Sequence, residues 1–234
     1  MPARGVYREA SRLVSEGVTR ITLLGQNVNS YNGNPKSETR NPKQIQNSND
    51  LNFENSKLGI VSNFELRHSS FPELLEMLCE IEGLEQIDFT TSHPQDATEE
   101  LFQAIKRNPK ISRRFHLPLQ SGSNRILKRM KRLHAYEEYK AKIDRLRELV
   151  PEISVTTDII TGFSGETEDD HAATVRALSE IRFDGAFIFK YSPRPGTPAA
   201  RLEDDVPVEM KKKRHKELLA LQKKITAENL KKGG

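Results

Sequence analysis

Five apolar stretches of the chain are each followed by a polar segment, and these segments hold the residues best suited to bind a ligand. They read GQNVNS (25–30), TTSHPQD (90–96), QSGSNR (120–125), TGFSGETEDD (161–170) and YSPRPGTP (191–198). Their glycines allow the backbone to approach a ligand closely, and their amides and hydroxyls can both donate and accept hydrogen bonds. A sugar phosphate, a nucleoside and a cofactor all remain open on residue types alone.

A few residues have side chains that could do chemistry, and each also has a structural reading. His93 and His116 could be acid–base groups or ligands, or histidines satisfied within the fold. Asp158 lies inside an apolar strand, where a carboxylate needs partners, so it predicts either a polar ligand or a structural network. Cys79 has leucine and isoleucine neighbours, which indicates a packed helix thiol rather than a nucleophile.

The distribution of charge is more informative than the net charge of +4. No Asp or Glu occurs between Leu101 and Tyr136, which is typical of a surface facing phosphate or RNA, although a solvated basic face is the alternative. The basic residues of this stretch are Lys106, Arg107, Lys110, Arg113, Arg114, Arg125, Lys128, Arg129, Lys131 and Arg132.

Strand and helix patterns alternate along the chain, which predicts parallel strands joined by crossover helices. Strands are expected at 20–25, 85–91, 114–119, 152–161 and 185–191, and helices at 5–17, 71–82, 97–107, 123–131, 135–149, 167–181 and 207–231. Near-continuous apolar strands favour a sheet covered on both faces. Residues 32–70 are rich in Asn, Ser, Lys and Pro, and we expect a disordered surface insertion there.

A complete or partial barrel fits this order better than a dinucleotide-binding fold, because no G-x-G-x-x-G follows the first strand. The chain opens on a helix, so the barrel is expected to lack its first strand. In a parallel barrel the carboxyl ends of all strands meet at one face, and the five polar segments should therefore converge on one pocket.

The single cysteine excludes a disulfide framework and fits a reducing compartment. No window of the sequence is apolar enough to span a membrane, and the first residues lack the apolar core of a secretory signal. A cytoplasmic location is expected, with a mitochondrial one as the alternative.

Several long motifs in order, ITLLGQNVNSY, FTTSHPQD, HLPLQSGSNRILKRM, TTDIITGFSGETEDD and YSPRPGTPAA, resemble the radical S-adenosylmethionine (SAM) methylthiotransferases. Within that family the chain is most similar to the MiaB type, which adds a methylthio group to N6-modified adenosine in tRNA. The resemblance covers nearly all of the chain except 32–70. It implies an α/β fold, a partial (β/α)6 TIM-like radical SAM barrel, with S-adenosylmethionine and a [4Fe–4S] cluster as cofactors and tRNA as partner.

The resemblance also assigns roles to residues at matching positions. The predicted cofactor-binding residues are Gln26, Asn27, Gln120, Ser121, Ser123, Asp158, Ile160 and Gly162. The predicted substrate or RNA contacts are Arg125, Lys128, Arg129, Tyr191 and Arg194. No residue is assigned to a metal.

The chain departs from the family pattern in one respect that bears on chemistry. Family members bind the catalytic cluster through C-x-x-x-C-x-x-C, and this sequence has Cys79 alone, in a different element. We therefore expect a core fragment, residues 1–206 as a partial radical SAM core and 207–234 as a basic helix leading to an RNA-binding domain outside the chain. Such a fragment would be inactive alone and would depend on a separately encoded N-terminal part.

Two other functions compete with that reading. One is a non-catalytic remnant that binds RNA or a nucleoside, and the other is an unrelated phosphosugar barrel enzyme, which the motif match disfavours.

Overall fold

The computed structural model describes residues 2–25, 27–32, 70–90 and 93–232, and strand and helix alternate through all of these ranges. The strands are β1 (Arg20–Leu23), β2 (Gln86–Phe89), β3 (Arg114–His116), β4 (Ser154–Thr161) and β5 (Gly185–Lys190). The helices are α1 (Ala3–Ser15), α2 (Phe71–Cys79), α3 (Glu99–Arg107), α4 (Asn124–Arg129), α5 (Tyr136–Leu149), α6 (Glu168–Ile181) and α7 (Val208–Lys232). The five predicted strands and seven predicted helices are confirmed, with ends that differ from the predicted ones by at most about three residues.

Every strand pair in the described ranges is parallel, as the alternating pattern predicts. β1 pairs with β2, and β3, β4 and β5 form a second sheet in that order. A single parallel bridge between Ile87 and Ile111 joins the two sheets. The strand order therefore follows the chain order, which is consistent with a partial TIM-like barrel and confirms the α/β fold class.

One face of the β3–β5 sheet is buried under helices and the other is a concave, partly open surface. Along β4, Val155, Thr157, Ile159 and Thr161 are buried, whereas the residues between them are only half-buried. The prediction of a sheet covered on both faces is wrong for these strands, because nothing in the described ranges fills the concave side. Asp158 lies on that concave side, which leaves its carboxylate accessible to a ligand.

β3 ends earlier than the sequence predicts, at His116. The Leu117 N–H still donates to the Thr156 carbonyl at 2.9 Å, but the next N–H that faces β4, that of Leu119, meets a side chain instead of a backbone carbonyl. The Thr157 hydroxyl fills the gap, since it accepts from the Leu119 N–H and donates to the Leu117 carbonyl, both at 2.9 Å. The backbone pairs again at Gln120, which bridges to Ile159.

The predicted insertion at 32–70 lies outside the described residues except at its ends. Asn32 and Ser70 form an antiparallel bridge, so the two ends of that segment lie side by side. None of the helices in the described part of the chain is both long and apolar enough to cross a bilayer.

Gly122 packs against the backbone of α6, which makes it a sensitive test of the fold. A Cβ at this position would lie 2.4 Å from the Ala173 carbonyl oxygen and 2.7 Å from Thr174 Cα. Backbone cannot move aside cheaply, so Gly122→Ala is expected to lower the free energy of unfolding by about 3 kcal/mol. Denaturant unfolding measures this, with Gly185→Ala as control because its Cβ would meet only Thr156 at 3.5 Å. Equal stability of the two variants would contradict the close approach of α6.

Candidate functional site

A cavity of about 900 Å³ lies at the carboxyl ends of β4 and β5. It opens on the face where the polar segments were expected to converge, and segments 120–125 and 191–198 both contribute to its wall. The lining residues are Gln120, Arg129, Met130, Lys131, Arg132, Asp158, Ile160, Phe163, Phe189, Lys190, Tyr191, Ser192, Arg194, Thr197, Pro198, Ala199, Arg201 and Leu202.

The charged side chains of the cavity are nearly all basic. Its wall holds one carboxylate, that of Asp158. The cations are Arg129, Lys131, Arg132, Lys190, Arg194 and Arg201. A cleft lined by one sign of charge concentrates ligands of the opposite sign, so this cavity favours anions such as phosphate or carboxylate groups.

Among the cavity cations that have no side-chain partner in the described part of the chain, Arg132 is the half-buried one. Its half-buried guanidinium makes no hydrogen bond or ion pair with any group in the described part of the chain. Burial lowers the pKa of Arg132, and the nearby Asp158 carboxylate opposes that change. Because a buried cation without a hydrogen-bonding partner is unfavourable, this side chain points to an anionic group supplied by a ligand.

Asp158 lines the same cavity as Arg132 and contacts a histidine. Its Oδ2 lies 3.4 Å from Nε2 of His116. The sequence left a ligand and a structural network open for Asp158, and the structure gives its carboxylate both a polar neighbour and exposure to the cavity.

Gln120 enters the cavity from a backbone conformation that is rare for its residue type. Its φ is +74°, in the left-handed region, and its side chain is buried. Backbone bonds to both Asp158 and Ile160 hold this conformation, at 2.8 and 2.9 Å. Strained conformations held by their surroundings are frequent at binding sites, which supports a role for Gln120 at the cavity wall.

An apolar surface faces the charged groups. Ile160 and Phe189 are register partners on β4 and β5, and Phe189 is 53% exposed. Phe163 and Tyr191 close the far side, with ring centroids 4.7 Å apart. A flat, exposed apolar wall beside hydrogen-bonding groups suits a heterocyclic base, whose faces stack and whose edges accept and donate hydrogen bonds.

The structure brings six of the predicted site residues to this one cavity, namely Gln120, Arg129, Asp158, Ile160, Tyr191 and Arg194. Asn27 is exposed at the start of a 3₁₀ turn away from the cavity wall, and Gln26 lies outside the described residues. Gly162 does not line the cavity; the side chain of Lys211 packs over it, and a Cβ there would lie 2.4 Å from Lys211 Cγ.

Ser121 and Ser123 lie in a buried network rather than on the cavity wall. The Ser123 hydroxyl caps α4 and donates to Asp170 Oδ1 at 2.6 Å. Ser121 accepts from the Ser123 N–H and neighbours the Thr174 hydroxyl. These contacts join the start of α4 to the first turns of α6, and they fix the loop from which Gln120 projects.

Arg125 belongs to the same network. Its guanidinium forms an ion pair with Asp170 and donates to the Gly165 carbonyl. Burial raises the pKa of Asp170, but the hydrogen bonds from Arg125, Ser123 and Thr167 outweigh burial and hold that pKa below its ordinary value. Thr167 caps α6, as the sequence predicts.

Arg129 and Lys128 extend from the last turn of α4. Arg129 donates to the Ser164 carbonyl at 3.1 Å and covers Gly165, so it is part of the cavity wall and also braces the loop after β4. Lys128 is exposed and outside the cavity wall.

The helix α7 supports the cavity wall from behind, through contacts that the sequence did not indicate. Lys211 is buried beneath the cavity, where it pairs with Asp204 and lies 5.3 Å from the ring centroid of Tyr191. Arg214 and Glu166 form a buried ion pair at 2.9 Å. This helix packs on β4, β5 and α6, so its basic residues partly face inward rather than toward RNA.

Four residues that line the cavity were not predicted as site residues, namely Arg132, Lys190, Arg201 and Phe189. Arg132 does lie in the stretch without acidic residues, which was the available signal. The unpaired state of its guanidinium depends on tertiary contacts and could not be read from that stretch.

Residues 1–178 of the chain match the Radical SAM superfamily. A tRNA-2-methylthio-N(6)-dimethylallyladenosine synthase of Corynebacterium jeikeium is 41% identical over 223 residues, which are 95% of this chain and 39% of that protein. The synthases of Saccharophagus degradans and Thermodesulfovibrio yellowstonii are each 43% identical, over 92% and 96% of this chain and 41% and 44% of theirs. The chain thus spans about two fifths of the length of these relatives.

A solved structure supports the fold independently of close sequence similarity. Coproporphyrinogen III oxidase (HemN) of Escherichia coli, a radical SAM enzyme, superposes with a TM-score of 0.51 at 18% identity, covering 65% of this chain and 36% of that one. Together with the match over residues 1–178, these similarities show that the chain belongs to the radical SAM superfamily and resembles the tRNA methylthiotransferases within it.

Proposed function

We propose that this chain is the S-adenosylmethionine-binding part of a radical SAM tRNA methylthiotransferase. The radical SAM family uses S-adenosylmethionine and a [4Fe–4S] cluster. The observation that carries the proposal is that one cavity holds two groups which form no ion pair with each other, the accessible carboxylate of Asp158 and the half-buried guanidinium of Arg132.

The groups of S-adenosylmethionine match the groups of the cavity. The Asp158 carboxylate can accept hydrogen bonds from the ribose hydroxyls, and the Gln120 amide can donate to them or accept from them. Arg132 can hold the methionine carboxylate in a charge-assisted pair. Ile160 and Phe189 offer the apolar wall against which adenine packs. Ser121, Ser123 and Gly162 were predicted to bind the cofactor, but none of the three lies on the wall, so their role in this proposal is to shape the loops.

The cluster does not fit the residues of this chain. A catalytic [4Fe–4S] site needs several thiolates, and the sequence contains only Cys79. That thiol is half-buried in α2, and burial raises its pKa to about 11, which disfavours the thiolate. The described residues contain no group of three potential metal ligands. Cysteines from another polypeptide segment would have to supply the ligands of the cluster. The cytoplasmic location of the protein stays a prediction.

Binding of the cofactor tests the proposal directly. Equilibrium dialysis with labelled S-adenosylmethionine is expected to retain one molecule per chain, displaced by S-adenosylhomocysteine. Asp158→Asn is expected to weaken retention about tenfold, because the amide keeps the shape but loses the charge that strengthens a hydrogen bond. The proposal is wrong if Asp158→Asn retains as much S-adenosylmethionine as the natural chain does. It is also wrong if the natural chain retains none at millimolar concentrations of the ligand.

The six cations of the cavity favour a second function, binding of tRNA. Each phosphate contact contributes to the salt dependence of affinity, so Lys131→Ala and Arg194→Ala are each expected to reduce the slope of log affinity against log salt by about 1. Fluorescence anisotropy with tRNA measures the slope, and Lys223→Ala, on the far half of α7, is the control. Unchanged slopes for the two cavity variants would show a solvated basic face instead.

A further inference from the structure

His116 lies behind Asp158 on the concave face and makes a contact at each ring nitrogen. Its Nδ1 lies 3.0 Å from the Thr156 hydroxyl, and its Nε2 lies 3.4 Å from Asp158 Oδ2. The Phe187 ring packs edge-on against the imidazole, with centroids 6.1 Å apart. Three contacts from two neighbouring strands therefore fix the orientation of this ring.

One tautomer of the neutral His116 imidazole suits both of its polar contacts. If the Thr156 hydroxyl donates to Nδ1, the proton of the neutral imidazole is on Nε2, from which it faces the Asp158 carboxylate. One carboxylate oxygen is then turned toward His116, and the other remains available on the cavity side. The side chains of His116 and Asp158 are 23% and 27% exposed, so water competes only weakly with this contact.

Arg132 competes for the same carboxylate. The two groups lie close enough for the Asp158 charge to raise the pKa of Arg132. The described residues nevertheless show no ion pair between them. An Asp158–Arg132 pair would neutralise both groups and remove the hydrogen-bonding sites that a ligand needs, because each would then be satisfied by the other.

From this geometry we propose that His116 is a positioning residue that holds the Asp158 carboxylate away from Arg132, so that both stay open to ligand. The inference deepens the proposed function, on which it rests for the identity of the ligand. His116 does not line the cavity and acts only through Asp158.

Two substitutions separate positioning from packing. His116→Leu removes the hydrogen bond to Thr156 and the polar contact with Asp158. It is expected to weaken S-adenosylhomocysteine binding about tenfold, because the Asp158 carboxylate loses the neighbour that holds it. His116→Gln can still donate to Asp158 and accept from Thr156, and it is expected to keep binding within about threefold of the natural chain. Isothermal titration calorimetry compares the dissociation constants.

A ligand-free crystal structure of His116→Leu gives a readout independent of the ligand. We expect Asp158 to turn and pair with Arg132 in this variant, and to keep its position in His116→Gln. If Asp158 stays in place in His116→Leu, or if that variant binds as the natural chain does, the inference is wrong. If the natural chain does not bind S-adenosylhomocysteine, the proposed function fails, while the position of Asp158 still decides the role of His116.

Thr156→Val provides the same test if His116→Leu does not fold. It removes the hydroxyl that anchors Nδ1 and leaves the imidazole in place, so a smaller loss of binding, about threefold, is expected. An unchanged dissociation constant together with an unmoved His116 ring would contradict the proposed anchoring.

Discussion

Replacement of Arg214 by leucine is expected to lower the free energy of unfolding by about 3–5 kcal/mol, because it leaves the buried Glu166 carboxylate without its counter-charge. The Arg214 and Glu166 side chains are 5% and 2% exposed. Glu166 Oε1 accepts from Arg214 Nη1 and from the Gly162 N–H, both at 2.9 Å, and only the second bond survives the substitution. Urea unfolding measures the loss.

The same substitution should make stability depend more steeply on pH. Burial raises the pKa of Glu166 above its ordinary value of 4.5, and Arg214 opposes that rise. A carboxyl whose pKa is higher in the folded state binds its proton more tightly there, so its contribution to stability is fully present below 4.5 and is lost as pH rises through the folded pKa. The deficit of Arg214→Leu is therefore expected to be smaller near the ordinary pKa than at neutral pH.

Two controls separate the ion pair from a general effect of changing α7. Glu166→Gln added to Arg214→Leu should restore part of the stability, since it removes the uncompensated charge and keeps an acceptor for Gly162. Lys212→Leu changes an exposed residue of α7 that pairs only with Glu209, and it should alter stability by about 0.5 kcal/mol or less. Equal losses in Arg214→Leu and Lys212→Leu would contradict a buried ion pair.

Replacement of Arg132 by methionine is expected to separate binding from stability. The dissociation constant for S-adenosylhomocysteine should rise about 30-fold or more, because the ligand carboxylate loses its charged partner in a partly desolvated site. The free energy of unfolding should stay the same or increase, since methionine fills similar space without a half-buried cation that has no partner in the described fold. Calorimetric titration and urea unfolding measure the two effects.

Arg8→Met is the matched control for this prediction, because Arg8 is exposed on α1 and away from the cavity. It should leave both quantities unchanged. A loss of stability in Arg132→Met, with binding intact, would mean that the guanidinium has a structural role and that the carboxylate is held elsewhere.

The elements of this fold could be predicted from the sequence because their signals are local. Thr167 and Ser123 cap α6 and α4 as their positions before helical patterns indicate, and apolar runs locate the strands. The ends were less predictable, as β3 shows, because the Thr157 hydroxyl that replaces its backbone pairing belongs to the neighbouring strand.

The site could be predicted only in part, because its remaining features depend on contacts distant in sequence. Arg125 is a basic residue of the polar segment 120–125, yet it is paired with Asp170, which lies 45 residues further on. Lys211 lies in the basic helix that was predicted to lead to an RNA-binding domain, yet it is buried beside Tyr191. The charge of a residue can be read from the sequence, whereas its partner is decided by the fold.

The measurement that tests the central claim most directly is a crystal structure of the chain with S-adenosylhomocysteine. The account predicts the ribose hydroxyls against Asp158, the carboxylate on Arg132 and the adenine against Ile160 and Phe189. Ligand bound instead in the smaller apolar cavity between α1, β1 and α2, about 320 Å³ in volume, would contradict it. So would a cavity at the ends of β4 and β5 that stays empty at saturating ligand.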